Sequence, residues 1–136
     1  MKRSSIRVNV RVSSHQKRLL QLAAKKHSTT LSNLVLRAGR REALSFFGAQ
    51  DSEYGWAYVI DVCKGYLFLN GGNYDDNDSY VDYSGRGGVK NAVIQTRIPV
   101  AYYMVFRTAA SVGDVTLTEW IIDACFDYGI NNPERV

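Results

Sequence analysis

A chain of 136 residues with 46% hydrophobic and 12% aromatic side chains can close one compact core, which excludes a wholly disordered protein. No run approaches the roughly 18 apolar residues of a membrane-spanning helix, and Lys2-Arg3 leads into a polar, alternating segment without an apolar signal region. No membrane partner is therefore expected, and the expected compartment is the cytoplasm. The net charge of +4 is unevenly spread: residues 1–43 carry eleven Lys or Arg against Glu42 alone (+10), residues 44–89 are −5 and residues 90–136 are −1. A basic end of this kind is the electrostatic footprint of a polyanion-binding face.

The first predicted element is a strand. Ile6, Val8, Val10 and Val12 alternate with Arg7, Asn9 and Arg11, so one face is dry and the other carries three hydrogen-bonding side chains. Ser13 or Ser14 can cap the helix that follows, with Gln16 three residues after Ser13 in capping-box position, and Leu19, Leu20, Leu22, Ala23 and Ala24 give it an apolar side over about 14–27. His27-Ser28-Thr29 reads as a turn, and His15 and His27 read as solvent-facing. Thr30 is placed to cap a second helix in which Leu31, Leu34, Val35 and Ala38 recur at helical spacing up to Leu44. Gly39 inside it implies either a close packing contact or simple tolerance of about 1 kcal/mol relative to Ala.

The middle of the chain is different. Trp56, Val59, Ile60, Cys63 and Leu67 share a helical face, which predicts a helix over about 53–69 ending at Asn70-Gly71; a hairpin turning at Lys64-Gly65 is the alternative, because Tyr58, Val59, Ile60 and Val62 favour strands. Residues 71–88, with Gly71-Gly72, the run Asp75-Asp76-Asn77-Asp78 and Gly85-Arg86-Gly87-Gly88, have the composition of a flexible loop. Its glycines lack the Lys-Ser/Thr of a phosphate-binding loop, and its aspartates lack the spacing of a calcium loop. Cys63 and Cys125 lie in apolar company outside any CxxC pair, which predicts buried free thiols and no metal site.

The last third repeats the first. An offset of 86 residues lays Arg11-Val12 on Arg97-Ile98, Ala23-Ala24 on Ala109-Ala110, Thr30-Leu31 on Thr116-Leu117 and Ala38 on Ala124 without a gap. In the second strand Ala92, Ile94, Thr96 and Ile98 face one way and Val93, Gln95 and Arg97 the other. Pro99 leads into a helix over about 101–112, Gly113-Asp114 turns the chain, and Thr116 caps a helix with Leu117, Trp120, Ile121, Ala124 and Cys125 on its apolar face. Trp120 reads as a core anchor. Neither copy alone has enough apolar surface to close a core, so the two are expected to fold against each other as a pseudo-dimer.

Strand, helix, helix with three outward polar residues on the strand resembles the ribbon-helix-helix DNA-binding family, strongly over residues 4–44 and moderately over 91–129. The resemblance implies a mostly α fold with a short antiparallel β-ribbon: a first unit at 1–45, an inserted acidic segment at 46–89, a second unit at 90–131 and a tail at 132–136. It also implies that the ribbon enters the major groove, that Arg7, Asn9, Arg11, Gln95 and Arg97 read bases, and that Thr30, Leu31, Ser32, Thr116 and Leu117 hold phosphates at helix starts, with Lys2 and Arg3 joining them. The chemistry agrees: Arg donates twice to guanine, Asn pairs with adenine, and a helix N-terminus offers unpaired N–H groups. Val93, where the first strand has Arg7, departs from the pattern and offers no hydrogen bond.

The first unit is most similar to antitoxins paired with acetyltransferase toxins, although those lack a second unit. Tandem ribbon-helix-helix chains among accessory proteins of conjugative DNA processing match the architecture better. The expected function is therefore sequence-specific binding of double-stranded DNA by a transcriptional repressor or autoregulator. Its alternatives are an accessory factor of conjugation or another mobile element, or an antitoxin inhibiting a toxin. Expected partners are DNA, a protein bound through the acidic middle, and further copies of the chain on DNA. No cofactor and no enzymatic activity are expected, since no nucleophile-base pair, metal cluster or converging carboxylates stand out.

Overall fold

A computed structural model describes residues 5–72 and 91–129. Along them run β1 (Ser5–Val12), α1 (Ser14–Lys26), α2 (Leu31–Phe46), α3 (Glu53–Leu69), β2 (Ala92–Pro99), α4 (Val100–Val112) and α5 (Leu117–Gly129). The expected glycine- and aspartate-rich loop falls, from residue 73 on, outside the described residues, as do the terminal tail and Lys2 and Arg3. No helix among the described residues is long and apolar enough to cross a membrane.

The two strands pair antiparallel within the chain, Ser5 opposite Pro99 and Val12 opposite Ala92. The 86-residue offset that aligns the two copies relates Asn9 to Gln95, and the register sets these same residues opposite each other. The pseudo-two-fold axis therefore passes through the Asn9–Gln95 pair. α1 and α4 occupy matching positions along the chain, and the turns behind them match in detail. Ser28 (φ 56°) and Asp114 (φ 59°) are both left-handed, Ser28 N–H donates to Lys25 O and Asp114 N–H to Ser111 O, and Thr29 and Val115 donate to Ala24 O and Ala110 O.

Capping explains where the helices begin. Ser13 Oγ accepts from Gln16 N–H at 3.0 Å while Gln16 Oε1 accepts from Ser13 N–H at 3.0 Å, a complete capping box. Thr30 and Thr116 cap α2 and α5 by accepting from Asn33 N–H and Glu119 N–H at 3.1 and 3.0 Å. The inward aliphatics of both strands lie in one core with Leu20, Leu34, Val35, Phe106, Trp120 and Ile121, drawn from both copies, and α2 packs along α5 at its centre. The two copies thus share one core behind a single two-stranded ribbon, an arrangement consistent with the ribbon-helix-helix fold.

α3 has no counterpart and breaks the symmetry. Lys64-Gly65 lies inside this helix and not at a hairpin turn. It packs on α4 and α2: the Trp56 and Tyr102 rings meet at a 47° tilt with centroids 4.7 Å apart, Tyr66 Oη and Ser111 Oγ share a 2.7 Å hydrogen bond, and Val59 and Cys63 are buried. Cys63 and Tyr66 of α3 meet Thr108 and Ser111 of α4, which with Met104 form one helical stripe where α1 has Arg18, Leu22 and Lys25. Thr108 and Ser111 are buried; Arg18, Leu22 and Lys25 are exposed. Thus the face that α3 covers in the second unit is uncharged, whereas the matching face of the first unit is basic and open to solvent.

One expectation is corrected. His15 is exposed, but His27 is buried beneath the Tyr128 ring, with centroids 5.3 Å apart. It ends α1 at its C-cap, where α5 of the other copy covers it.

Candidate nucleic-acid interface

The outward face of the ribbon carries six exposed side chains in three facing pairs: Arg7 opposite Arg97, Asn9 opposite Gln95, and Arg11 opposite Val93. Their outward direction follows from the period of two, because Val10, Val12, Ile94 and Ile98 fill the core from the other face. Five of the six are hydrogen-bonding, three are guanidinium cations, and neither strand contains a carboxylate. Arg97 Nη1 donates to Ser5 Oγ at 3.3 Å across the ribbon. The major groove of B-DNA is wide enough to admit a two-stranded ribbon.

At one end of the ribbon, Ser14 N–H and Ser14 Oγ–H both donate to Asn91 Oδ1, at 2.9 and 3.0 Å. This clasp ties the start of α1 to the residue before β2. Beside it, Ser14, His15, Lys17, Arg18, Gln21 and Ala92 line a shallow groove. In the sequence Lys17 and Arg18 stand out only through net charge; their place in the first turns after a cap adjoining the strand is the signal for this groove.

The two helix starts read as equivalent are not alike. Thr30 is exposed and Leu31 and Ser32 are half-buried, and the first-turn N–H groups of a helix have no partner within it. Thr116 and Leu117 are instead buried, and Glu119 adds a carboxylate to the first turn of α5. Arg40 and Arg41, part of the basic excess, point to α3 and the segment before it. Arg40 Nη2 lies 3.7 Å from Glu53 Oε2, its guanidinium sits 4.9 Å over the Trp56 ring and Nη1 donates to Tyr102 Oη at 3.3 Å, while Arg41 Nη1 lies 3.9 Å from Asp51 Oδ2.

A second, acidic groove lies between α2 and α5, lined by Glu42, Ser45, Trp120, Asp123 and Asp127 among others. Burial, then the charges of Asp127 and Asp123, raise the Glu42 carboxyl above its ordinary value. Burial pushes the Cys63 thiol up to about 11 and the Cys125 thiol up to about 12. Both are free cysteines, and no group of three or more His, Cys, Asp or Glu among the described residues is arranged to hold a metal ion.

The first strand and the two helices behind it are similar to one known family. Residues 7–50 match the family model described as Antitoxin TacA 1-like. The matched stretch runs from the first outward arginine through α1 and α2 and stops short of α3. It is a ribbon-helix-helix type of antitoxin family, in keeping with the resemblance of the first unit. No curated protein and no solved structure matches the chain.

Proposed function

We propose that this protein binds double-stranded DNA sequence-specifically by laying its intramolecular ribbon in the major groove, and that it represses its own operon. The observation that carries the reading is the outward face of the ribbon: guanidinium and amide side chains in register, with no carboxylate among them. Arg7, Arg11 and Arg97 suit guanine O6 and N7, and Asn9 and Gln95 suit adenine N6 and N7. Phosphate holding is one-sided in this reading. The start of α2 at Thr30-Leu31-Ser32 is open, whereas the start of α5 at Thr116-Leu117 is closed, and Lys17 and Arg18 add a basic groove beside the ribbon.

The test is a binding titration on a duplex selected from a random pool and on a scrambled control. Arg7→Ala, Asn9→Ala and Arg11→Ala should each cost about 1 to 3 kcal/mol on the selected duplex and far less on the control. Equal losses on both would reduce the strand to a generic anion contact, and no loss on either would defeat the assignment.

A second reading, an antitoxin that also holds a toxin protein, is supported by the Antitoxin TacA 1-like match and by α3, where Tyr54, Phe68 and Leu69 are 89%, 84% and 82% exposed. Tyr54 lies at the start of α3 and Phe68 and Leu69 at its end, so a protein partner would have to span the length of the helix. An acetyltransferase encoded next to this chain would favour that reading, and a relaxase would favour a role in conjugation. Co-purification of the adjacent product with the wild type, lost in Tyr54→Ser/Phe68→Ser, tests the contact.

A further inference from the structure

The pseudo-two-fold through Asn9 and Gln95 exchanges Arg11 with Arg97 and Asn9 with Gln95, and it exchanges Arg7 with Val93. The first two exchanges conserve chemistry: guanidinium for guanidinium, amide for amide. The third does not. One end of the ribbon therefore presents two guanidinium groups, Arg7 beside Arg97, and the other presents Arg11 beside an isopropyl group. Val93 is 37% exposed on the outward face, while Ile94, Thr96 and Ile98 of the same strand supply its buried face, so core packing does not account for an aliphatic side chain there.

We infer that Val93 makes the ribbon read a non-palindromic site in one fixed orientation, by seating its isopropyl group against a thymine 5-methyl at the Arg11 end. Thymine is the base whose major-groove edge presents a methyl group, the one feature there that an aliphatic side chain recognises. At the opposite end, Arg7 and Arg97 call for guanines. A symmetric dimer of the first unit would place Arg7 at both ends and read a palindrome; a single chain carrying both strands can differ at one position, and this one does. The inference rests on the proposed reading of DNA by the ribbon and adds the identity and polarity of the site.

The probe is the duplex selected by the wild-type chain, in which each thymine is replaced in turn by uracil, which lacks the methyl group. One replacement, in one half of the site, should weaken wild-type binding about three- to tenfold, the scale of one lost methyl contact. Val93→Ala, with its shorter side chain, should bind the thymine duplex more weakly and respond less to that same replacement. Val93→Arg should select a site with guanine at both ends and lose the preference for one orientation. Val93 lies outside the core, and an unchanged urea midpoint for each variant verifies the fold. If no replacement distinguishes wild type from Val93→Ala while Arg7, Asn9 and Arg11 variants still lose discrimination, the thymine contact is wrong and the DNA-reading function stands. If the wild type selects a palindrome, the fixed orientation is wrong. If it selects no duplex at all, both the inference and the function beneath it fall.

Discussion

A Cβ built on Gly39 of α2 falls 2.6 Å and 2.7 Å from Cε1 and Cε2 of the Phe106 ring, and closer still to Cζ. The same pair of positions across the pseudo-two-fold is Cys125 and Leu20, so a larger side chain on one helix is matched by a missing one on the other. Phe106 is fully buried between Tyr102 and Trp120, with centroids 6.1 and 5.1 Å away, and has nowhere to retreat. Gly39→Ala should therefore destabilise by about 1 to 3 kcal/mol through overpacking, despite the gain of about 1 kcal/mol in helix propensity. Phe106→Leu in the same chain should recover part of that loss. Urea unfolding of the two single variants and the double variant measures the coupling, and additive effects would refute it.

Glu42 gives the pH dependence a sign. Its folded-state carboxyl is raised by burial first and by Asp127 and Asp123 next, so the native state holds the proton more tightly than the unfolded chain. Its contribution to stability is fully present below its ordinary value and is lost as pH rises through the raised one. Wild-type stability minus that of Glu42→Gln should then fall across this window, from the ordinary carboxylate value upward. Urea titrations at a series of pH values from about 4 to 7 measure the difference, and a difference that rises with pH would contradict the cause.

The strands and the four helices of the two copies were legible because each is written in a local period: alternation in Ile6–Val12 and Ala92–Ile98, helical spacing after Ser13, Thr30 and Thr116. The repeat offset relates Asn9 to Gln95, but neither strand records whether it pairs within one chain or between two, which the register settles. What local pattern does not encode is which surface α3 covers. The signal lay in a comparison of copies, Met104, Thr108 and Ser111 standing where Arg18, Leu22 and Lys25 stand, and it becomes readable only once α3 is seen on α4. The burial of His27 is hidden in the sequence for a related reason: its cover, Tyr128, comes from the other copy. On the candidate interface, the outward alternation gave all six ribbon side chains, while the contrast between the open start of α2 and the closed start of α5 depends on burial that the two similar Thr-Leu sequences do not record.

The two thiols should be inert while the protein is folded. Alkylation proceeds through the thiolate, and burial holds Cys63 up to about 11 and Cys125 up to about 12. At pH 8, iodoacetamide should modify both within minutes in denaturant and neither on that timescale without it, by mass spectrometry. Rapid labelling of either in buffer would mean that the core around it opens.

Thr30→Asp separates capping from phosphate holding at the start of α2. Asp is as good a cap as Thr and suits the positive end of the helix, so stability should hold or rise slightly. A carboxylate where a phosphate is proposed to sit should nevertheless weaken DNA binding about tenfold, or about 1.4 kcal/mol. Unchanged affinity would remove this helix start from the interface.

Salt dependence should divide the basic residues by position and not by number. If about five phosphates are neutralised, log affinity should fall with log salt at a slope of roughly −4 to −5. Lys17→Ala/Arg18→Ala, in the groove beside the ribbon, should make that slope shallower by about 2, because each phosphate contact contributes about 0.9. Arg40→Ala should leave both slope and affinity alone, since its guanidinium is committed to Trp56, Tyr102 and Glu53. Its cost should fall on stability, about 0.5 to 1 kcal/mol for the lost contact with the Trp56 ring, with little from the ion pair because the Glu53 side chain is 91% exposed. Titrations on one duplex from about 50 to 200 mM salt, paired with urea unfolding, read both quantities. A slope that changes with Arg40 and not with Lys17 and Arg18 would move the phosphate-binding face to the α3 side of the molecule.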